Sequence, residues 1–252
     1  MIANLPMYLW PENRAAHDRL WAHIRDGLRD AGIAAPDALD YDTGHMDSWA
    51  RPDLVISQIC NLPYRARFRG KVTLIGAADY ALPDIAPGFY NSVFVVRTND
   101  PAQTFADAAS YPMAINEPLS NSGWGVPLQY ALAQGLTLYP VLRTGAHRES
   151  LRAVVDGRAA LAAIDGVTWA NMQRWDHNAA RARVIARTHA TPGMTFITAA
   201  GRDPAPYLAA IDLAIKTLSQ NDRDTLNLRG IVALPQAAYD IPLPPFPADL
   251  PF

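Results

Sequence analysis

Short apolar runs alternate with amphipathic stretches along the chain, which predicts an α/β architecture with largely parallel sheets. Residues 2–7 read as a first strand. Behind them Ala16, Leu20, Trp21, Ile24, Leu28 and Ala31 recur at helical spacing. Pro11 and Glu12 suit the first turn of that helix, and Gly32 stands where a helix-ending residue belongs. Residues 53–59, 72–75 and 92–97 predict further strands. Residues 113–115 predict a short strand that runs through Asn116, Glu117 and Pro118 into a helix over about 123–134, stopped by Gly135. Residues 137–142, 159–164 and 184–188 predict a second set of strands, and 194–198 restarts the pattern. A last helix over 204–218 has Asp203 as its cap and Pro204 at its first position.

Composition narrows the picture. The chain has 252 residues, half of them hydrophobic, which is enough for one large α/β domain or two lobes of about a hundred residues each. Lys and Arg number 22 against 24 Asp and Glu, a net charge of −2. That balance carries no footprint for nucleic acid or an anionic membrane, so any anion must be held locally by a few oriented donors. Cys60 is the single cysteine, which excludes an intrachain disulfide and a thiolate-rich zinc site. No basic-then-apolar leader and no uncharged apolar run of membrane-spanning length is present. The expectation is a cytoplasmic protein without membrane insertion, or a periplasmic one if a leader has been replaced by Met1. The proline-rich stretch 241–252 is expected to be extended and on the surface.

Candidate chemistry gathers at loop-to-helix junctions. Ser120, Asn121, Ser122 and Gly123 stand just before a helix, with two hydroxyls, an amide and a glycine that lets the backbone approach a ligand. Such a helix start binds anions through its free N–H groups and positive dipole end, and it is equally an ordinary N-cap. His147 opens a second junction, flanked by Thr144 and Ser150. Asp165 closes an apolar run and faces either a ligand crevice or the N-cap of the next helix. Tyr8, Gln58, Cys60 and Tyr90 fall at strand ends in the first half. Ser122, His147 and Asp165 can be drawn as a hydrolytic triad, and Cys60 with His147 as a dyad. Ser122 lacks a nucleophile-elbow glycine pattern, however, and the chain order is not that of the α/β hydrolases. No phosphate loop, dinucleotide fingerprint or metal-ligand spacing occurs.

Taken in order, these segments resemble the phosphate/phosphonate-binding, PhnD-like family of ABC-transporter solute receptors. The likeness rests on residues 7–12 (MYLWPE), 57–60 (SQIC), 90–93 (YNSV), 116–123 (NEPLSNSG), 144–150 (TGAHRES) and 162–165 (AAID). It implies the type II periplasmic-binding fold, two α/β lobes joined by crossing strands with a ligand cleft between them. The lobes are expected at 1–90 with 192–252, and at 91–191. It further implies a monomeric, non-enzymatic solute-binding protein without cofactor or metal, whose partners are a small anionic ligand and an ABC permease. By the same resemblance Ser120, Asn121, Ser122 and Gly123 bind an oxyanion, His147 donates to it, Asp165 makes a polar contact, and Tyr90, Tyr8 and Gln58 line the site. The alternatives are a cytoplasmic enzyme in the same cleft (a hydrolase or a thiamin-pyrimidine-type biosynthetic protein) and a ligand sensor. The 57–60 segment departs from the small, aromatic-bearing loop of well-known phosphonate receptors.

Overall fold

A computed structural model describes residues 1–247. Its strands are β1 (Ile2–Ala3), β2 (Leu54–Ile59), β3 (Val72–Asp79), β4 (Phe89–Tyr90), β5 (Ser92–Arg97), β6 (Pro112–Ile115), β7 (Tyr139–Arg143), β8 (Leu161–Asp165), β9 (Ala182–Arg187), β10 (Thr191–Pro192), β11 (Thr195–Ala199) and β12 (Gly230–Val232). The chain divides into two compact units, Met1–Phe89 with Pro192–Asp240, and Tyr90–Thr191 with Ile241–Phe252. It passes from one to the other along β4 and back along β10, and these two short strands pair.

The first unit is built on a five-stranded sheet in the order β1-β2-β11-β3-β12. The helix Arg14–Asp30 buries Ala16, Leu20, Trp21, Ile24 and Leu28, the residues whose spacing predicts it. It ends because Gly32 adopts φ +75, which lets the Gly32 and Ile33 amides turn back onto the Arg29 and Leu28 carbonyls. Gly27 lets this helix approach the helix Ala205–Thr217, since a Cβ there would lie 3.3 Å from the Ala210 Cβ. Asp203 accepts from the Ala205 amide at 3.0 Å, as its capping position predicts. On another part of the unit Ile2, Trp49, Leu54, Ile59, Phe68 and Ile197 form a buried cluster. Each such side chain contributes roughly 1.5–3 kcal/mol by leaving water.

The second unit carries the sheet β7-β6-β8-β5-β9. Its core gathers Phe94, Phe105, Met113, Trp124, Leu128 and Leu161, with the Phe94 and Phe105 rings 4.4 Å apart. Within it β6 runs parallel to both β7 and β8, so the C-terminal ends of these three strands share one edge. A helix begins beyond each of them, at Asn121, His147 and Gly166. That edge is where open α/β sheets present helix N-termini to ligands.

Three expectations change here. The sheets are mixed and not largely parallel: β11 is antiparallel to β2 and β3, β12 to β3, and β5 to β8 and β9. A parallel neighbour needs a crossover of a dozen or more residues, whereas β5 and β11 enter their sheets directly from the passages between units. The first strand is also shorter than 2–7, ending at Ala3. The segment after Asp240 groups with the second unit, not with the first as the sequence pattern had it. Trp124 Nε1 donates to the Pro245 carbonyl at 3.0 Å and Gln129 Nε2 to that of Pro242 at 3.1 Å. Proline content predicts an extended surface segment but not the surface it lies on, and residues beyond 247 fall outside those described.

Candidate functional site

Ser120 caps the first helix start. Its Oγ accepts from the Gly123 amide at 2.9 Å, so the ordinary capping role is filled. The turn that follows is wider than an α-turn, with the Gly125 amide reaching back five residues to the Ser120 carbonyl at 3.0 Å. Such π-turns cost helix stability and recur at functional sites. Of the first amides of this helix start, that of Gly123 bonds Ser120 Oγ and that of Trp124 the Ser120 carbonyl, while the Ser122 amide lies beside its own hydroxyl.

Asn121 is wholly buried, and its amide is turned inward. Nδ2 donates to the Tyr90 hydroxyl at 2.9 Å and to Thr191 Oγ1 at 3.2 Å. Both partners lie where the chain enters and leaves this unit, so the Asn121 side chain locks the helix start to the ends of the two passages. Tyr90 is itself buried, with its hydroxyl engaged by Asn121. Ser122 points the other way: its Oγ lies 2.8 Å from His147 Nε2 and 3.5 Å from Ser120 Oγ.

His147 is the first residue of the helix His147–Val155, and no side chain caps that helix. Gly145, at φ +84, makes the turn before it, and the Gly145 amide donates to the Asn116 carbonyl at 2.9 Å. Thr144 Oγ1 lies 2.7 Å from Ser150 Oγ and donates to the Ile115 carbonyl, so both residues brace the loop. The His147 residue is half-buried, but its Nδ1 is sealed from solvent; it faces the Ala163 backbone without making a well-formed hydrogen bond. Burial pushes the imidazole pKa down to about 4, so the ring is neutral at pH 7.

Asn116 joins the two helix starts. Its backbone holds Gly145, and its side chain fills the space beside Gly123, where a Cβ would come within 1.8 Å of Asn116 Oδ1. Gly123 is therefore required by this approach and not by an unusual φ. Asp165, 1% exposed, accepts from the Val167 and Thr168 amides at 2.8 and 3.0 Å. Its charge is held by the start of the third helix. The triad Ser122–His147–Asp165 is not formed, because His147 Nδ1 receives no hydrogen bond partner and Asp165 serves as a cap.

In the first unit, Tyr8 has φ +63, and Asn13 holds its turn by donating to the Tyr8 carbonyl at 2.9 Å while accepting from the Trp10 amide at 2.8 Å. The Tyr8 ring meets Tyr80 edge to face, 4.8 Å between centroids. Gln58 Nε2 donates to the Tyr80 hydroxyl at 3.0 Å, and Gln58 Oε1 is buried without a partner. Cys60 is buried in this unit. Among the described residues no cluster of His, Cys, Asp and Glu is arranged to hold a metal.

The sequence pattern missed Asn116, Thr191, Tyr80 and Trp124. Asn116 and Tyr80 share a readable signal, a polar residue just past a strand end. Thr191 and Trp124 carry none, because their roles come from partners distant in sequence.

A family model described as the periplasmic substrate-binding protein of phosphonate ABC transporters matches residues 64–237. No curated protein matches the chain. Among solved structures it is similar to PhnD1 of Prochlorococcus marinus in complex with methylphosphonate, at 13% identity, over 95% of this chain and 94% of that one, with a TM-score of 0.71. A binding component of an ABC phosphonate transporter from Pseudomonas aeruginosa gives 16% identity over 94% and 83%, TM-score 0.66. XAC2383 of Xanthomonas citri, bound to chloride, gives 15% over 94% and 92%, TM-score 0.66. These likenesses establish the type II periplasmic-binding fold.

Proposed function

The chain belongs to the family of periplasmic substrate-binding proteins of phosphonate ABC transporters, and from that premise we propose that its second unit holds the oxyanion of a phosphonate or similar small anion at the Ser122–His147 pair. The family is a substrate-binding component of transport and not a family of enzymes. No helix among the described residues is long and apolar enough to cross a membrane, and the proposed partner for delivery is an ABC permease.

The observation that carries the assignment is the convergence of two helix starts through one hydrogen bond, Ser122 Oγ to His147 Nε2 at 2.8 Å. The neutral imidazole and the Ser122 hydroxyl share this one hydrogen bond, with donor and acceptor set by the tautomer, and it fixes both side chains at the junction of the two helix starts. The first amides of both helices add donors, and Ser120 and Asn121 hold that geometry in place. Preorganised neutral donors bind an anion without a fixed counter-charge, which suits a chain with net charge −2. Asp165 and Tyr90 support the site by capping and by anchoring Asn121. On the first unit, taken by itself, the Tyr8 ring meets Tyr80, and Gln58 Oε1 is a buried acceptor without a partner.

Calorimetric titration with methylphosphonate, phosphite, phosphate and sulfate tests the proposal. We expect at least one of the phosphorus oxyanions to bind. The double variant Ser122→Ala, His147→Ala should weaken it by on the order of 100-fold or more, since each hydrogen bond to a charged group contributes about 1.5–3 kcal/mol. Undiminished binding by that variant, or no response to any of the four anions, would overturn it.

A further inference from the structure

The segment 241–247 makes a third passage of the chain between the units, beyond the two at β4 and β10. It leaves the first unit from a well-anchored point. Arg69 pairs with Asp240 at 2.7 Å and donates to the Tyr239 carbonyl at 2.9 Å, while the buried Tyr239 hydroxyl lies 2.9 Å from Thr195 Oγ1. On the second unit it lies along the helix that starts at Asn121: Pro244 is buried, the Pro245 carbonyl takes the Trp124 indole N–H, and the Pro242 carbonyl takes Gln129. The family match ends at residue 237, so this segment lies outside it.

Trp124 belongs to the π-turn Asn121–Gly125 itself, between Gly123 and Gly125. Two glycines and a widened turn make that helix start intrinsically soft, each glycine weakening a helix by about 1 kcal/mol relative to alanine. It is held from outside instead: Asn121 by Tyr90 and Thr191, and Trp124 by Pro245. Trp124 is 4% exposed, and the Pro245 carbonyl satisfies an indole N–H that would otherwise be left against the core.

We propose that residues 241–247 act as a strap that positions the anion-binding helix start, with Trp124 and Gln129 as positioning residues and the Pro242 and Pro245 carbonyls as their anchors. The strap rests on the reading that Asn121–Gly125 faces the ligand, and its effect on affinity follows from preorganisation: a helix start that must be ordered on binding gives up part of the binding free energy.

The full chain, carrying Trp124→Phe alone and Trp124→Phe with Gln129→Ala, tests this by two independent measurements. The first is amide hydrogen exchange of residues 121–125 without ligand, which should accelerate in both variants while the strands of the second unit keep their protection. The second is calorimetric titration with methylphosphonate, which should weaken roughly fivefold in the single variant and further in the double one, the scale of one hydrogen bond. Pro245→Ala keeps the anchoring carbonyl and should bind within about twofold of the parent; a purely packing role for the proline ring would predict a larger loss. Unchanged exchange at 121–125 in the double variant overturns the strap whether or not the parent binds methylphosphonate. Unchanged affinity in a parent that does bind it overturns the positioning role. A parent that binds no oxyanion, with exchange accelerated in the variants, overturns the proposed function and leaves the strap standing.

Discussion

The two units solve the same layout with different chemistry. In the second, three parallel strands end at one edge and each feeds a helix start, so the edge is rich in amide donors, with Ser122 and His147 joined in front of them. In the first, the comparable strand ends present the Tyr8–Tyr80 pair and an amide, Gln58, whose one unpartnered atom is an acceptor. Asn performs a structural task in both places: Asn13 clamps the Tyr8 turn, and Asn121 ties a helix start to Tyr90 and Thr191. Donors converge on one unit, and rings with an acceptor on the other.

The contrast is broken most severely at Gly123. In Gly123→Ala the new methyl must displace the Asn116 amide, whose Oδ1 would lie 1.8 Å away, while the Asn116 backbone is fixed by Gly145. Overpacking of this kind costs about 1–3 kcal/mol. It falls on the residue that Ser120 caps, so the donors of both helix starts lose register. Oxyanion affinity should drop at least tenfold, with a melting temperature lower by a few degrees. An alanine variant that binds as tightly as the parent would show that the close packing of Asn116 has no part in the site.

The acid response separates the two units next. Burial lowers the pKa of His147, to about 4, and that of His17 in the first unit, which lies 3.2 Å from the Asn13 carbonyl. Both rings fold neutral. As pH falls below the ordinary value of 6.5 the unfolded chain takes up protons that the folded chain does not. Each ring's contribution to stability is therefore present above 6.5 and lost on acidification, for His147 down to about pH 4. His147→Gln should flatten the fall in melting temperature between pH 6.5 and 4 without abolishing it, because His17 still titrates. A slope identical to the parent's would mean that His147 is protonated in the folded protein.

How much of this was legible along the chain depends on how far apart the partners are. The helix Arg14–Asp30 and its stop at Gly32 follow from spacing within a few turns, and so does the stop at Gly135, where φ is +69 and the Leu136 amide returns to the Ala131 carbonyl. Strand direction did not follow, because whether β11 lies antiparallel between β2 and β3 is decided by residues more than a hundred positions away. The same limit applied within the site. Ser120 and Asp165 read as caps because a cap bonds to amides two or three residues on, and both do so. Nothing local signals that the Asn121 amide bonds Tyr90 and Thr191, because these partners are 31 and 70 residues distant. The Ser122–His147 contact was anticipated twice, in the hydrolytic triad drawn from the residues, whose Asp165 arm is not made, and through the resemblance, which placed both on one ligand.

The smaller effects sharpen the assignment of roles. Asp165→Asn keeps an acceptor at the cap but removes the charge facing a helix start, which contributes about 0.3–1 kcal/mol. For a chain of this size that corresponds to a melting temperature lower by about 1–4 °C. Oxyanion affinity should stay within about twofold, since Asp165 Oδ1 caps the Val167 and Thr168 amides and the carboxylate makes no hydrogen bond to His147 Nδ1. A tenfold change in affinity, in either direction, would return Asp165 to the ligand. Gln58→Leu should do the least to the anion itself. It deletes the unpartnered acceptor and the bond to Tyr80 while keeping volume, so phosphate and methylphosphonate should bind it with nearly equal loss. A phosphonate bearing a hydroxyl or amine should lose several-fold more if that group donates to Oε1, because its donor stands on the organic part and not on the phosphorus. If all three ligands weaken equally, Gln58 only braces Tyr80.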